Sequence, residues 1–344
     1  GGDFHLAPDP WRHPLDLWSA AFSPIGSWRD KWQLARWRYQ ATRQFANLDL
    51  TLPALGPETT TRDYLAQLGF SNQIIDRFFT SFFKGVFLED RLETSSRFFA
   101  FIFAQFAQGN ATLPKGGMQA IPNQLASRLA PGTVQLNTPV VSVEPKSVRL
   151  ANGQSIGASQ GVIVACQASA AQKLLPGLPE NTWPKATNGN VTLYYATPHA
   201  PTRKRLLILS ADNDGPIAHV SFPSNVQPSY APKGQHLAAV SVLQNPYPSP
   251  EALALAVRHQ LGHWLGEQTM GWRLLKTLSI PESLPRFTPQ DYPMVHRSPQ
   301  VADGLYLAGD YCHSPSINGA MASGRLAAQA LLGHPLGSFI GSPG

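Results

Sequence analysis

The feature that most constrains this chain lies near its end. Gly304-Leu305-Tyr306-Leu307-Ala308-Gly309-Asp310 is a short apolar run, as of a buried strand, that breaks into a Gly-Asp turn. Shortly after it, Ser316-Ile317-Asn318-Gly319-Ala320-Met321-Ala322-Ser323-Gly324-Arg325-Leu326-Ala327-Ala328 starts a helix of mostly small residues. Gly319, Ala320, Ser323, Gly324 and Ala327 let that helix sit close to a sheet or a ligand. Its first N–H groups lack intrahelical acceptors and carry partial positive charge, which suits an anion or an electron-rich ligand edge. Asp310, at the carboxyl end of a strand, is placed to accept ligand hydroxyls. The plain alternative is a glycine-rich helix–sheet contact with no ligand. The Gly-Asp turn combined with Asn-Gly-Ala-x-x-Ser-Gly favours the ligand.

The chain upstream of about residue 110 reads as mostly helical. Ser27 and Asp30 resemble a capping box before a Trp- and Arg-rich helix. Thr60 to Asp63 open a short helix that Gly69 ends, and Ser71 caps the next. That helix carries Ile74, Ile75, Phe78, Phe79, Phe82 and Phe83 at three-to-four spacing, and a second Phe-rich helix runs through Arg97–Phe106. Aromatics at helical spacing usually pack inward, so these helices read as core first and as the lining of an apolar tunnel second. A Gly turn at Gly116-Gly117 precedes a helix over Gln119–Leu129. Short strands are expected at Thr133–Leu136, Val140–Val143 and Val148–Leu150, the last followed by the Asn152-Gly153 hairpin signal. Gly161–Cys166 reads as a strand buried on both faces. Strands follow at Val191–Tyr195, Leu206–Leu209, Ala218–Phe222, Leu237–Leu243 and Trp272–Ser279, with a helix at Pro250–Trp264 and a Pro-punctuated loop at Pro281–Pro299.

Length and composition remove several function classes. A chain of 344 residues implies two domains or one large composite. With 43% apolar and only 14% charged residues it can fill a core and is no highly charged disordered chain. The net charge is +6, yet the basic residues form no long run and no zinc-finger or RNP pattern occurs, so nucleic acid is not an expected partner. Two cysteines, Cys166 and Cys312, exclude a disulfide scaffold and point to a reduced, cytoplasmic protein. His259 and His263 lie four apart, but Gln260-Leu261-Gly262 between them lacks the Glu of a metalloprotease helix, so no metal is expected. Ser316 sits in no nucleophile elbow, and Cys312 beside His313 is too close in sequence for a nucleophile–base pair.

The densest basic stretch is Ser27–Ala46, with Arg29, Lys31, Arg36, Arg38 and Arg43 against Asp30, interleaved with Trp28, Trp32, Trp37 and Tyr39. Such a helix suits peripheral contact with an anionic membrane. The favoured alternative is a partly buried helix with a solvated basic face. No segment reaches the ~18 uninterrupted apolar residues of a membrane span. The chain opens Gly1-Gly2-Asp3, with no basic-then-apolar signal pattern in these residues, and its first methionine is Met118, so it is expected to be a piece of a longer protein.

The run GLYLAGDYCHSPSINGAMASGRLAAQAL resembles the C-terminal flavin-binding segment of the FAD-dependent amine oxidase superfamily, which includes monoamine oxidases, protoporphyrinogen oxidases and phytoene-desaturase-like enzymes. LPKGGMQAIPNQLASRL, followed by NTPVVSVEP and GVIVACQ, is similar to the family's middle FAD segment. FFTSFFKGVFLED and RFFAFIFAQFAQGNATLPKGGM resemble the phytoene-desaturase-like branch more than monoamine oxidases. The resemblance implies FAD as cofactor. It implies that Gly309 and Asp310 contact the pyrophosphate and ribityl chain, and that the Ile317 N–H faces the flavin O2 edge with Asn318, Gly319 and Ala320 completing the turn. It further places Val140 at the adenine region, Ala165 and Cys166 beside the dinucleotide, and Gly116-Gly117 before the middle helix.

Two departures from the family pattern bear on function. The family begins with a βαβ unit bearing G-x-G-x-x-G, and no such motif occurs in these residues, which leaves the usual pyrophosphate cradle out of the chain. Monoamine oxidases place an aromatic residue where Ser316 stands and a lysine near flavin N5 where Asn190 falls, which argues against oxidation of simple amines. Asn190, Tyr292 and Arg297 remain the candidates for the substrate side.

Together these features imply an α/β fold: an FAD/NAD(P)-binding-like domain, incomplete at its N-terminus, of about 110–170 and 295–335. A mixed-sheet and helical substrate domain would take 1–109 and 171–294. The expected reaction is hydride transfer from a hydrophobic small molecule, a polyene or other apolar compound, to flavin. The alternatives are a non-catalytic module that binds a pigment or lipid, and a flavin oxidase acting on a polar amine. The oligomeric state stays open.

Overall fold

The computed structural model describes residues 25–44, 58–211, 215–243, 247–291 and 297–334. Helix α1 (Trp28–Gln44) starts at the expected capping box: Ser27 Oγ accepts the Asp30 N–H at 3.2 Å while Asp30 Oδ2 accepts the Ser27 N–H at 2.8 Å. Asp30 is buried and also accepts the Ser71 N–H and hydroxyl, both at 2.8 Å. One carboxylate thereby closes two helix starts. Helix α2 (Thr61–Gln67) is capped by Thr60, whose Oγ1 accepts the Asp63 N–H at 3.1 Å.

After Ser71 the chain runs through α3 (Asn72–Ile74), a π-helical turn (Ile75–Thr80) and α4 (Ser81–Phe87), then through α5 (Ser96–Gln108). Phe79, Phe83, Phe87, Phe98 and Phe99 are buried, so the Phe-rich helices are core in the first place. Trp37 of α1 stacks on Phe99 with ring centroids 5.3 Å apart, and its indole N–H donates to the Tyr64 hydroxyl at 3.2 Å. Phe287, far along the chain, closes this cluster against Phe98.

A five-stranded sheet of order β6-β7-β8-β5-β9 forms the second body: β5 (Thr187–Thr197), β6 (Leu207–Leu209), β7 (Ile217–Ser221), β8 (His236–Val242) and β9 (Arg273–Pro285). The neighbouring helix Pro250–Leu265 buries Leu253, Val257 and Leu261 in the same core. Strand β9 continues through Pro281 to Pro285, where the sequence suggests a loop. An edge strand tolerates proline because one N–H side needs no partner. Thr133–Leu136, expected as a strand, is not one: it lies between turns at Gly132 and Asn137, both with positive φ, and has no partner strand. The middle helix is α6 (Ala120–Ala126), shorter than expected, and none of its residues is buried.

A three-stranded meander, β1 (Val140–Glu144), β2 (Ser147–Leu150) and β3 (Ser155–Gly157), turns at Asn152-Gly153 as anticipated, with Gly153 at φ +87°. The remaining sheet has the order β10 (Gln300–Ala302), β11 (Leu305–Leu307), β4 (Val162–Val164), with β4 and β11 parallel. Alternation sorts its two faces. Leu305 and Leu307 pack with Val164, Ala171 and Trp183, whereas Tyr306 and Ala308 pack with Ala327 of the C-terminal helix Ile317–Leu331. Helices thus cover both faces of a parallel pair, which is the α/β arrangement the sequence implies.

Candidate functional site

The parallel register aligns Leu307 with Val164, and the Ala308 N–H donates to the Val164 carbonyl at 3.0 Å. Both strands therefore end at one sheet edge. Ala165, exposed, and Cys166, half-buried, leave β4 there, and Gly309 and Asp310 leave β11 beside them. Open α/β sheets bind ligands outside the carboxyl ends of their strands.

Ser316 caps the C-terminal helix by accepting the Gly319 N–H at 2.9 Å, and its carbonyl accepts the Ala320 N–H at 2.9 Å. The N–H groups of Ile317 and Asn318 have no acceptor among the described residues. Two donors at the positive end of a long helix are left for something else. Ser323 ties this helix to the strand end: its Oγ accepts the Gly309 N–H at 2.8 Å and donates to the Ala320 carbonyl at 2.9 Å. A Cβ at Gly319 would stand 2.0 Å from the Ser314 carbonyl oxygen, and one at Gly309 2.3 Å from the Tyr311 ring. Both positions need glycine because the chain folds onto itself there.

Electrostatics around the turn are set by burial. It pushes the Asp310 carboxyl above its ordinary value, against the Tyr311 and Asp310 backbone N–H bonds that lower it. Burial, then the nearby Asp310, pushes the Cys312 thiol up to about 12, and burial raises Cys166 too. Neutral thiols are poor nucleophiles, so neither cysteine is set up for covalent catalysis. Tyr311 is buried against Trp183 at 6.2 Å, and burial followed by Cys312, Cys166 and Asp310 lifts its phenol far above the ordinary range.

The other sequence candidates fall elsewhere. Val140 begins β1, in the meander whose turn packs on the Gly304 turn through Pro145 and Lys146. The Gly116-Gly117 turn is held to the neighbouring body by the Tyr230 hydroxyl, which donates to the Pro114 carbonyl at 2.9 Å. Asn190 lies on β5, where its Oδ1 accepts the Ser241 hydroxyl at 2.6 Å and its amide donates to Thr192 Oγ1 at 2.9 Å. Arg297 donates to the Asn181 carbonyl and sits close enough to Cys312 to oppose the rise of its pKa. Tyr292 lies outside the described residues. Sequence spacing alone does not reveal the hydrogen-bonding role of Ser323. The spacing of Gly319, Ser323 and Ala327 at every fourth residue marks a buried stripe, but only the tertiary contact makes Ser323 a hydrogen-bonding partner of Gly309. Among the described residues no group of three or more His, Cys, Asp or Glu could hold a metal, and no helix is long and apolar enough to cross a membrane.

The family of flavin containing amine oxidoreductases matches residues 2–332. The chain belongs to that family. It is an FAD-dependent oxidoreductase by kinship, and the expected resemblance holds over nearly its whole length. Solved structures of this flavoprotein fold are similar to it at low identity. A putative protoporphyrinogen oxidase from Exiguobacterium sp. 255-15 shares 14% identity at TM-score 0.66, over 93% of this chain and 75% of that one. A putrescine oxidase redesigned in its cofactor binding shares 15% at TM-score 0.67, over 89% and 76%. A reduced UDP-galactopyranose mutase shares 12% at TM-score 0.60, over 88% and 74%. No curated protein matches the sequence.

The residues present fit FAD. The open amides of Ile317 and Asn318 would face the flavin edge on which negative charge grows in the reduced state, and Gly309 and Asp310 would take the pyrophosphate and ribityl chain. Gly309 lets the Tyr311 ring, and Gly319 the Ser314 carbonyl, pack directly on the main chain, which sets the course of the backbone at these places.

Proposed function

We propose that this flavin amine oxidoreductase holds FAD at the joint carboxyl ends of β4 and β11 and oxidises a hydrophobic small molecule, polyene-like or otherwise apolar. The observation that carries the cofactor placement is the pair of unaccepted amides at Ile317 and Asn318, locked beside Gly309 by Ser323. Bound FAD would supply the oxidising power, taking a hydride from a substrate that also gives up a proton to solvent, and passing the two electrons on to oxygen or a quinone. The chain's own part is to hold the cofactor, orient it and stabilise the charge of its reduced form.

An apolar substrate is supported by a row of incompletely buried phenylalanines. Phe78, Phe82 and Phe106 line one side of the aromatic cluster, with Phe82 5.4 Å from Phe106. Asn190 is engaged on both amide atoms, and the resemblance to monoamine oxidases implies their lysine at its position, which disfavours a polar amine. The pyrophosphate cradle would be completed next to β4, which lies at the edge of its sheet among the described residues.

The test is anaerobic reduction of the FAD-loaded protein by a panel of polyenes and aliphatic amines, followed by bleaching of the blue flavin band. Reduction by polyenes alone supports the reading. Reduction by amines alone transfers it to the amine oxidases, and a protein that takes up a pigment but no flavin makes it a binding module.

A further inference from the structure

Helix α1 carries two faces of opposite character. At about 100° per residue, Trp28, Tyr39, Trp32, Arg43, Arg36 and Arg29 fall in that order within an arc of about 100°. Opposite them lie Trp37, Asp30 and Ala41, which are buried in the aromatic core. On the outer arc Trp28 is 65% exposed, Trp32 63% and Tyr39 58%. Large aromatics are seldom left in water in a row along one helix, and these three extend over about 17 Å of its length.

Each ring has a cation above it. The Lys31 ammonium is 5.2 Å from the Trp28 centroid, the Arg36 guanidinium 5.7 Å from Trp32, and the Arg43 guanidinium 4.5 Å from Tyr39. The helix's one acid, Asp30, lies on the opposite, buried side, where it accepts from the N–H and hydroxyl groups of Ser27 and Ser71. Positive charge and amphipathic rings are thus presented together at one depth. That is the pairing an anionic lipid surface accepts: rings enter the headgroup layer while the basic ends stay among the phosphates.

We propose that the Trp28–Tyr39 face of α1 docks the protein flat on the surface of an anionic membrane. This does not depend on the substrate or the cofactor. Charge complementarity selects the occupant: a second copy of this chain would bring the same cations face to face, and an uncharged bilayer would leave the guanidinium groups without counterions.

Sedimentation of the full chain with vesicles tests it, using phosphatidylcholine alone and phosphatidylcholine mixed with phosphatidylglycerol. The expected result is at least tenfold stronger binding to the anionic vesicles, reversed by high salt. Trp32→Ser with Tyr39→Ser, and separately Arg36→Gln with Arg43→Gln, should each weaken it at least tenfold. All four side chains are exposed, so both variants should keep the parent circular dichroism and melting temperature. Equal binding to both vesicle types, or binding that neither variant changes, overturns the proposal. A dimer abolished by Trp32→Ser would assign the face to self-association, and tighter binding to a polynucleotide than to vesicles would assign it to nucleic acid; either result also overturns it.

Discussion

The Ser323 hydroxyl accepts the Gly309 amide proton at 2.8 Å and so fixes the C-terminal helix to the end of β11. This one contact sets where the open amides of Ile317 and Asn318 stand relative to the Gly-Asp turn. Ser323→Ala removes the acceptor and should lower FAD affinity about tenfold, the scale of one hydrogen bond lost at a poorly hydrated site. Fluorescence titration of the apoprotein with FAD reads the change. A variant with unaltered affinity would show that the tie does not position the cofactor.

Two glycines of the same helix should respond to alanine in opposite directions. Helix propensity alone predicts a gain of roughly 0.5–1 kcal/mol for either. Gly324 has nothing within 4 Å of its missing Cβ, so Gly324→Ala should show that gain. Gly319→Ala would meet the Ser314 carbonyl oxygen at 2.0 Å and should instead cost about 1–3 kcal/mol and displace the helix start. Urea unfolding of the pair checks the sign, and FAD retention should fall only for Gly319→Ala.

Asp30 joins two helix caps, and its pKa reflects that. Burial raises it, but the hydrogen bonds from Ser27 and Ser71 outweigh burial and hold it below 3.8. A depressed folded value means the stabilisation is complete above 3.8 and is lost as the pH falls through the folded pKa. Asp30→Asn turns one acceptor into a donor facing donors and should cost about 2–3 kcal/mol at neutral pH, with a flatter acid limb in a stability–pH curve.

His219 supplies the second pH term. Carried on β7 with its ring against Gly85, whose added Cβ would stand 2.7 Å from its Nδ1, it is driven by burial from 6.5 down to about 4. In the folded protein it stays neutral while the unfolded chain takes up a proton. Its contribution is complete above 6.5 and drains away as the pH falls from there towards 4. The loss should reach about 3 kcal/mol. His219→Gln should remove that slope, as measured by urea unfolding between those two pH values.

The chain's local structure was largely legible because short-range chemistry specifies it. Thr60, Ser71 and Ser316 cap helices where their positions imply, and Asn152-Gly153 turns the hairpin. The Phe-rich helices are core, as aromatic spacing suggests. What failed depends on partners far along the chain. Thr133–Leu136 has the composition of a strand but nothing to pair with, and β9 passes through Pro281 because it sits at an edge. The capping Ser27–Asp30 box was visible, whereas the same carboxylate's bond to Ser71 was not.

The cofactor site divides along the same line. The residue order alone established the strand, the Gly-Asp turn and the small-residue helix, because backbone preference and side-chain size act within a few residues of each other. Tertiary structure alone decided that β4 comes to lie parallel to β11, that Ser323 reaches Gly309, and that Trp32 and Tyr39 face outward while Trp37 faces in. Those outcomes rest on contacts between residues distant in sequence, whose energies depend on what packs against them and so cannot be read from neighbours along the chain.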